Sequence, residues 1–420
     1  MRVTGWVLLF ALGCSSTTAT PDDAAASPDS ESDAAGDAGG DSDSSTDSSI
    51  ADTSTADTST ADAAASDSGR DGGPQDAGAQ DGGPRDAGMD MGPDTSGDAG
   101  PPTAAGCFEA QFVNDATRLG PDYDSIPGVR IGSHCNGTDH QDISGIERVV
   151  FIGDSITVGS PPTLSNDFYR VELAERLAVR FGLEREEGVL NGFRWEQWAN
   201  ANPVSGMSVV ETAGDFASCA EWGARADDLQ RDGSQLEDCF PPSARSQRNL
   251  VILTVGGNDL NNLTQAAIDG AMPDELWAQT REYVDLVREA VAWLKDPVRF
   301  PAGTDVVLAN VYEFTDGTGD VGACDTAVIT GFDGDAMVGD TLREVVVWAN
   351  LQYMDIAVTT GSDMIFLLET FCGHGYRRDD PEGPCYRGPG QDIYFDLTCI
   401  HPNPRGHGVI SDLFFSVVAE

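Results

Sequence analysis

Four short segments of the sequence carry residue types that perform acyl-transfer chemistry. Ser155 ends the triplet GDS, Asn258 ends GGN, His401 lies in HPNPRGH, and Gly223 lies in EWGARADDL. Hydrolysis of an ester needs a nucleophile, a base that takes its proton, and N–H donors that stabilise the developing oxyanion. The segments supply a candidate for each of these three tasks.

Each candidate has a definite role in such a reaction. Ser155 is the candidate nucleophile, and His401 is the candidate base because an imidazole accepts and returns a proton near neutral pH. The backbone N–H groups of Ser155 and Gly223 and the side-chain amide of Asn258 are the candidate oxyanion hole. Glycine suits this role because its bare backbone allows close approach of a substrate; Gly206, in PVSGMS, is the alternative to Gly223.

The same residues also have ordinary structural interpretations. A serine after Gly-Asp is often only a helix cap, Asn258 is also compatible with a turn, and His401 with a loop. We favour the catalytic interpretation because the segments occur together, each at the end of a predicted element. We assign His407 to a structural position near the last helix and expect no catalytic role for His374.

The elements that must position these segments alternate between strands and helices. Apolar runs predict strands at 148–153, 207–214, 249–257, 305–314 and 363–370. Helical spacing of apolar residues predicts helices at 165–182, 273–296, 341–358 and 406–420. This order indicates a parallel sheet covered by helices on both faces. Ligands of such sheets bind beyond the carboxyl ends of the strands, where the segments of Ser155 and Asn258 fall.

At these segments the chain resembles the SGNH hydrolases, also called GDSL esterases and lipases. GDSIT, GGNDL and HPNPRGH occur in the order of that family, within residues 148–412, and Gly223 is a weaker match to its second block. The resemblance implies a three-layer α/β/α sandwich of flavodoxin-like kind. It also implies a serine ester hydrolase that works through a seryl-acyl intermediate, with no cofactor and no metal.

The resemblance leaves the substrate open. GGNDL and the cysteine before HPN look most like the lipase and phospholipase-like branch of the family. A polysaccharide O-acetyl esterase is the alternative enzyme. The alternative without enzymatic activity is a surface binding lipoprotein that retains an inactive hydrolase fold.

One position departs from the family pattern. The family usually places an aspartate three residues before the histidine to orient the imidazole, and this chain has Thr398 there. The nearest acid is Asp396, five residues before His401. Some members of the family use a backbone carbonyl instead. The orienting group is therefore either Asp396 or the Thr398 carbonyl, and we favour the carbonyl because its offset is the familiar one.

The N-terminal part of the chain has a composition of its own. Residues 1–14 combine Arg2 with a short apolar core and end in ALGC, which resembles a signal peptide with a lipobox and makes Cys14 the candidate site of lipidation. Residues 15–103 consist almost entirely of Ala, Asp, Ser, Thr, Gly and Pro, which predicts a disordered acidic tether. The hydrolase domain is expected at 104–420. The expected location is a bacterial cell envelope or surface, with secretion as the alternative.

The charge of the chain limits its partners. The formal net charge is −46. A protein that binds nucleic acid or an anionic membrane needs a basic surface, and this chain is strongly acidic. We therefore expect no nucleic-acid partner and contact with a membrane only through a lipid anchor. The expected partner is an ester substrate, either a lipid or an acylated carbohydrate, and the protein is expected to be a monomer.

The cysteines predict disulfide bonds. The chain has nine cysteines, and all except Cys14 lie within 104–420. An even number in an exported domain indicates disulfides, and no pair has the close spacing that zinc sites favour. Spacing favours the local pairs Cys107–Cys135, Cys219–Cys239 and Cys372–Cys385, which leaves Cys324 with Cys399.

The anchor is testable by fractionation. We expect the mature protein to begin at a lipidated Cys14 and to sediment with membranes, and Cys14→Ser to move it to the soluble fraction. Recovery of the Cys14→Ser protein in the same membrane fraction as the wild type would contradict the lipid anchor. Proteolysis within 20–100 should release a domain of unchanged activity, because that stretch has almost nothing apolar to pack.

Overall fold

A computed structural model of the protein describes residues 102–114, 120–185, 187–190, 193–196, 214–230, 234–326 and 339–420. These residues lie in the compact unit Asp90–Glu420. The predicted signal peptide with Cys14, the predicted tether up to residue 101, Gly206 and nearly all of the strand predicted at 207–214 lie outside the described residues.

The described part of the chain contains a central sheet of five strands, all parallel, in the order β4-β1-β5-β6-β7. Counted along the chain, this is the order 2-1-3-4-5 of flavodoxin-like folds, as predicted. β2 and β3 form a separate antiparallel pair. The strands are β1 (Arg148–Gly153), β2 (Glu187–Leu190), β3 (Phe193–Glu196), β4 (Phe216–Ser218), β5 (Asn249–Thr254), β6 (Thr304–Ala309) and β7 (Asp363–Ile365).

Helices connect the parallel strands. The four longer helices predicted from the sequence are present with small shifts at their ends. No helix among the described residues is both long enough and apolar enough to cross a lipid bilayer. The α-helices are α1 (Ala104–Glu109), α2 (Ser155–Val158), α3 (Tyr169–Phe181), α4 (Gln235–Cys239), α5 (Gly257–Ile268), α6 (Pro273–Leu294), α7 (Gly339–Thr360), α8 (Leu367–Phe371) and α9 (Pro404–Ala419). Short 3-10 helices lie at Tyr123–Ser125, Ser165–Asp167, Ala226–Leu229, Ala244–Ser246 and Val321–Ala323.

The two faces of the sheet pack against different helices. Val150 and Val251 belong to the core on the side of α6 and α7, whereas their neighbours Phe151 and Ile252 belong to the core on the side of α3 and α9. Successive strand residues point to opposite faces, and every residue of β1, β5 and β6 is buried. Burial of each large apolar side chain contributes about 1.5–3 kcal/mol. This explains why the central residues of these strands are apolar on both faces, and it confirms the predicted three-layer α/β/α sandwich.

The prediction of a strand over 363–370 is only partly right. The strand ends at Ile365, and α8 follows. β7 has no strand to pair with beyond Ile365, because the neighbouring strand β6 ends at Ala309, the partner of Ile365. The side-chain oxygen of Asn310 then accepts the backbone N–H of Leu368 at 2.8 Å, which places that residue in the first turn of a helix.

All four predicted disulfides are present. Cys107–Cys135, Cys219–Cys239, Cys324–Cys399 and Cys372–Cys385 are bonded, with Cα–Cα distances of 5.1–6.2 Å. The Cys324–Cys399 bond joins the loop after β6 to the loop before α9, which carries His401. The covalent framework therefore holds a candidate site residue as well as the periphery of the domain.

The disulfide framework makes a prediction for the purified domain. Alkylation under non-reducing, denaturing conditions followed by mass mapping should find no free thiol among these eight cysteines. The double variant Cys219→Ser/Cys239→Ser should lower the free energy of unfolding by about 3 kcal/mol in denaturant titrations, because it opens a short loop. Two or more alkylated cysteines in the native protein would contradict the framework.

Candidate active site

Ser155 lies at the sharp turn between β1 and α2. Gly153 has a φ of 140°, and a Cβ there would lie 1.8 Å from the carbonyl oxygen of Thr254, so the turn requires glycine. Asp154 caps the helix by accepting the N–H of Ile156 at 3.0 Å. Ser155 is thus the first residue of a helix at the carboxyl edge of the sheet, and its own backbone N–H has no acceptor within that helix.

A buried glutamine holds the strand end beneath this turn. Gln235 donates from Nε2 to the carbonyl of Gly153 at 2.9 Å and accepts the N–H of the same residue at 2.8 Å. The Asp154 carboxyl also accepts from the Thr254 hydroxyl at 3.4 Å. Burial raises the pKa of Asp154 to about 7. Sequence reasoning missed Gln235 because it lies 82 residues from its partner and in no motif.

His401 faces Ser155, the candidate nucleophile. Its Nε2 lies 2.8 Å from the Ser155 hydroxyl oxygen. The loop that carries it is closed by a hydrogen bond from the Asp396 N–H to the His401 carbonyl at 2.9 Å, and Tyr312 donates its hydroxyl to the Ile400 carbonyl. Burial of the imidazole lowers the pKa of His401 to about 4. At neutral pH the ring is therefore uncharged and able to accept a proton.

The side-chain hydroxyl of Thr398, and not its carbonyl, lies at the other ring nitrogen. Thr398 Oγ1 is 2.8 Å from Nδ1 of His401, so the preference for the carbonyl is wrong. Asp396 does not contact the ring directly. Its carboxylate accepts the Thr398 N–H at 2.8 Å and lies 2.6 Å from the Thr398 hydroxyl. The reason is local, because a carboxylate readily bonds the backbone N–H two residues ahead, and this turns it toward Thr398.

Asn258 lies in the first turn of α5, which starts at the end of the neighbouring strand. Its Nδ2 donates to the carbonyl of Ala224 at 2.9 Å. An amide group carries two N–H donors, so one remains for another acceptor. Asn258, Ser155 and His401 line the same cavity. The structure thus brings together three of the candidates from widely separated parts of the sequence.

Gly223 lies on the loop that follows β4, next to the Ser155 turn. The loop is fixed by the N–H of Glu221, which donates to the Gly153 carbonyl at 3.0 Å, and by the Trp222 indole, which donates to the Gly159 carbonyl at 2.9 Å. Gly223 has a φ of 78°, and no atom lies within 4 Å of a Cβ placed there. Its backbone is thus open on that side, although Gly223 is not among the residues that line the cavity.

The cavity at the site is lined by the candidate catalytic side chains and by many apolar side chains. Its volume is about 1380 Å³ with the open mouth included. Ser155, Asn258 and His401 are part of its lining, and the rest comes mostly from α5, α7, α8 and the loop after β6, with polar side chains such as Asn261, Glu313 and Arg343 among them. Among the described residues, no cluster of His, Cys, Asp or Glu is arranged to hold a metal ion. The apolar lining includes Val311, Phe314, Val321, Leu342, Val346 and Leu368.

A buried carboxyl fixes the loop that forms one cavity wall. Asp316, next to the lining residue Gly317, has a φ of 53° and accepts the backbone N–H groups of Gly373, Gly375 and Arg377 at 2.8–2.9 Å. Burial raises its pKa to about 7. Sequence analysis missed this residue because TDG marks a turn but does not reveal the distant partner of the carboxyl.

The remaining histidines near the site have structural contacts. The N–H of Tyr169 donates to Nδ1 of His407 at 3.3 Å, and the two rings stack. His374 stacks on Tyr394 with ring centroids 3.8 Å apart, and its Nδ1 lies 2.8 Å from the Asp392 carbonyl. Neither side chain lines the cavity.

Comparison with known proteins identifies one family. The sequence profile described as GDSL-like Lipase/Acylhydrolase matches residues 149–414. No curated protein matches the sequence significantly.

Several solved structures are similar to the chain. An extracellular lipase from Streptomyces rimosus is 15% identical, with 64% of this chain and 99% of that chain covered and a TM-score of 0.38. Phospholipase A1 from Streptomyces albidoflavus NA297 is 16% identical, with 64% and 99% covered and a TM-score of 0.38. A lipase from a goat rumen metagenome is 12% identical, with 64% and 96% covered and a TM-score of 0.40.

The burial of His401 predicts an unusual pH dependence for any reaction that needs its neutral ring. Protonation removes the acceptor, and burial lowers the pKa of His401 to about 4. We expect kcat/KM to be nearly constant from pH 7 to 5 and to be halved near pH 4, instead of near the ordinary histidine value of about 6.5. Circular dichroism at each pH checks that the protein stays folded. An acid limb centred near pH 6.5 in folded protein would contradict the burial argument.

Proposed function

Because the chain belongs to the family of GDSL-like lipases and acylhydrolases and is therefore an ester hydrolase, we propose that it cleaves carboxylic esters with Ser155 as its nucleophile. The observation that carries this proposal is the 2.8 Å contact between the Ser155 hydroxyl and Nε2 of His401 in the wall of an open cavity. A serine hydroxyl becomes an effective nucleophile when an adjacent base can take its proton.

The first half of the reaction forms an acyl-enzyme. Ser155 Oγ attacks the ester carbonyl carbon while Nε2 of His401 takes the hydroxyl proton. The oxyanion receives hydrogen bonds from the backbone N–H groups of Ser155 and Gly223 and from the Asn258 amide, and one such donor typically contributes about 3 kcal/mol. The bond to the alcohol oxygen then breaks, and the imidazolium returns its proton to the leaving alcohol.

The second half regenerates the enzyme. Water attacks the acyl group on Ser155 as His401 takes a proton from it, and the same oxyanion donors act again. Collapse of the second tetrahedral intermediate releases the carboxylic acid and returns the proton to Ser155. Atoms and protons balance with water as the only other reactant, and Ser155, His401, Asn258 and the backbone N–H of Gly223 supply the groups that this route requires.

The many apolar side chains in the cavity wall support an ester with a medium or long acyl chain, as in the lipase and phospholipase-like branch. Each buried CH₂ contributes about 0.8 kcal/mol, which corresponds to a few-fold in kcat/KM until the cavity is filled. A polysaccharide acetate has an acyl group too short to contact most of this lining. We therefore favour a lipid-like substrate over an O-acetylated carbohydrate.

The proposed location of this activity is the cell envelope. ALGC at the end of an apolar N-terminal segment supports lipidation of Cys14, and the long acidic stretch behind it supports a tethered domain. A hydrolase held this way would act close to a surface without inserting into it.

Substitution of the nucleophile tests the activity. We expect Ser155→Ala and His401→Ala to lower kcat/KM for p-nitrophenyl butyrate by at least about 10⁴-fold. Ser243→Ala is the matched control, because Ser243 is exposed and its side chain caps no helix. Folded Ser155→Ala protein with wild-type activity would contradict the assignment of the nucleophile.

A chain-length series tests the substrate class with the same assay. We expect kcat/KM to rise at least about 10-fold from p-nitrophenyl acetate to octanoate, because the added methylenes leave water for the cavity. Val346→Asp, at a half-buried position of the cavity wall, should remove most of this gain and leave acetate hydrolysis within about threefold of wild type, with folding checked by circular dichroism. Highest activity on acetate and on acetylated xylan would favour the polysaccharide O-acetyl esterase.

A further inference from the structure

The hydroxyl of Thr398 lies at the centre of a small hydrogen-bonded group behind His401. Thr398 Oγ1 is 2.6 Å from Asp396 Oδ1 and 2.8 Å from Nδ1 of His401, and it accepts the backbone N–H of His401 at 3.2 Å. A hydroxyl has one hydrogen and two lone pairs. Three contacts therefore use its whole capacity, and the direction of each bond can be worked out.

The carboxyl group determines where the threonine hydrogen goes. Asp396 Oδ1 already accepts the Thr398 N–H at 2.8 Å, so it acts as an acceptor. The other oxygen, Oδ2, is buried and has no hydrogen-bond partner among the described residues. As a carboxylate, Asp396 has no hydrogen to donate, so the Thr398 hydroxyl donates to Oδ1 at 2.6 Å.

The tautomer of His401 follows from that direction. Because the only hydrogen of the Thr398 hydroxyl points to Asp396, the oxygen must accept from Nδ1 of His401. Nδ1 then carries the ring hydrogen, and Nε2 presents its lone pair to Ser155. The opposite arrangement would place the hydrogen on Nε2, where the ring could not take the proton of the serine.

We propose that Thr398 is the positioning residue of His401 and that Asp396 acts on the imidazole only through the Thr398 hydroxyl. The Thr398 hydroxyl thus stands between the carboxylate and the imidazole. In the usual arrangement the carboxylate would be hydrogen-bonded directly to the ring. This inference rests on the proposed function of Ser155 and His401, and it adds the group that selects the reactive tautomer.

The loop around Thr398 is held by other contacts, so its side chain can be changed without loss of the loop. Tyr376 donates its hydroxyl to the Asp396 carbonyl at 2.6 Å, and Thr326 donates to the Leu397 carbonyl at 2.6 Å. The Cys324–Cys399 disulfide closes the same loop. Valine replaces the threonine hydroxyl by a methyl group of similar size, and it is the suitable test.

The first experiment compares three residues at position 398. We expect Thr398→Val to lower kcat for p-nitrophenyl butyrate about 100-fold and to change KM by less than about twofold, because proton transfer is affected more than binding. Thr398→Ser keeps the hydroxyl and should stay within about threefold of the wild type. Circular dichroism confirms folding of each variant. Folded Thr398→Val with near-wild-type kcat, or Thr398→Ser as slow as Thr398→Val, would overturn the proposal.

The second experiment tests whether Asp396 acts through Thr398. Asp396→Asn keeps an acceptor oxygen and loses the charge, and it should lower kcat about 10-fold in the wild-type background. In the Thr398→Val background it should have no further effect, because the connection to the ring is already broken. Losses that multiply in the double variant would overturn the relay and indicate two independent structural roles.

The Ser155→Ala variant separates this inference from the function on which it rests. An active, folded Ser155→Ala protein would refute the proposed nucleophile whatever happens at position 398. An inactive Ser155→Ala protein beside a fully active Thr398→Val protein would refute the positioning role alone.

Discussion

The close contact between Gly153 and Thr254 at the ends of β1 and β5 is the constraint on which the site depends. These residues pair in the parallel sheet, and any side chain at 153 would meet the Thr254 carbonyl. Because the two strands end side by side, the helices that follow them start side by side. Ser155 and Asn258 therefore line one cavity although they lie about 100 residues apart in the sequence. The hydrogen bonds of Gln235 to Gly153 fix the end of β1 beneath Ser155.

His401 reaches the same cavity by a different route. It lies 246 residues beyond Ser155 and is carried by the loop before α9, not by the end of a strand in the described sheet. A loop has little stiffness of its own. This loop is stiffened by the Cys324–Cys399 disulfide and by the hydrogen bond from Tyr312 to the Ile400 carbonyl. The contact between Ser155 and His401 thus rests on this cross-link and on loop hydrogen bonds as well as on the sheet.

Buried carboxyl groups fix several backbone segments around the site. Asp154 caps the helix that begins at Ser155, Asp259 accepts the Ala226 N–H near the loop of Gly223, and Asp316 accepts three backbone N–H groups of a cavity wall. Burial raises the pKa of all three to about 7. In a chain with a net charge of −46, these acids serve as acceptors for backbone donors that water cannot reach.

The sequence by itself predicted the alternation of parallel strands with the longer helices, the segments of Ser155, Asn258 and His401 as candidates for one site, and the four cysteine pairs. Apolar periodicity, strand-end motifs and spacing are local properties, so they can be read without a structure. Only the tertiary structure decided that the Thr398 hydroxyl meets the imidazole, that Gln235 supports the nucleophile turn, and that β7 ends at Ile365. Those outcomes depend on which way a side chain points and on where a neighbouring strand stops, and both are set by parts of the chain far away in sequence.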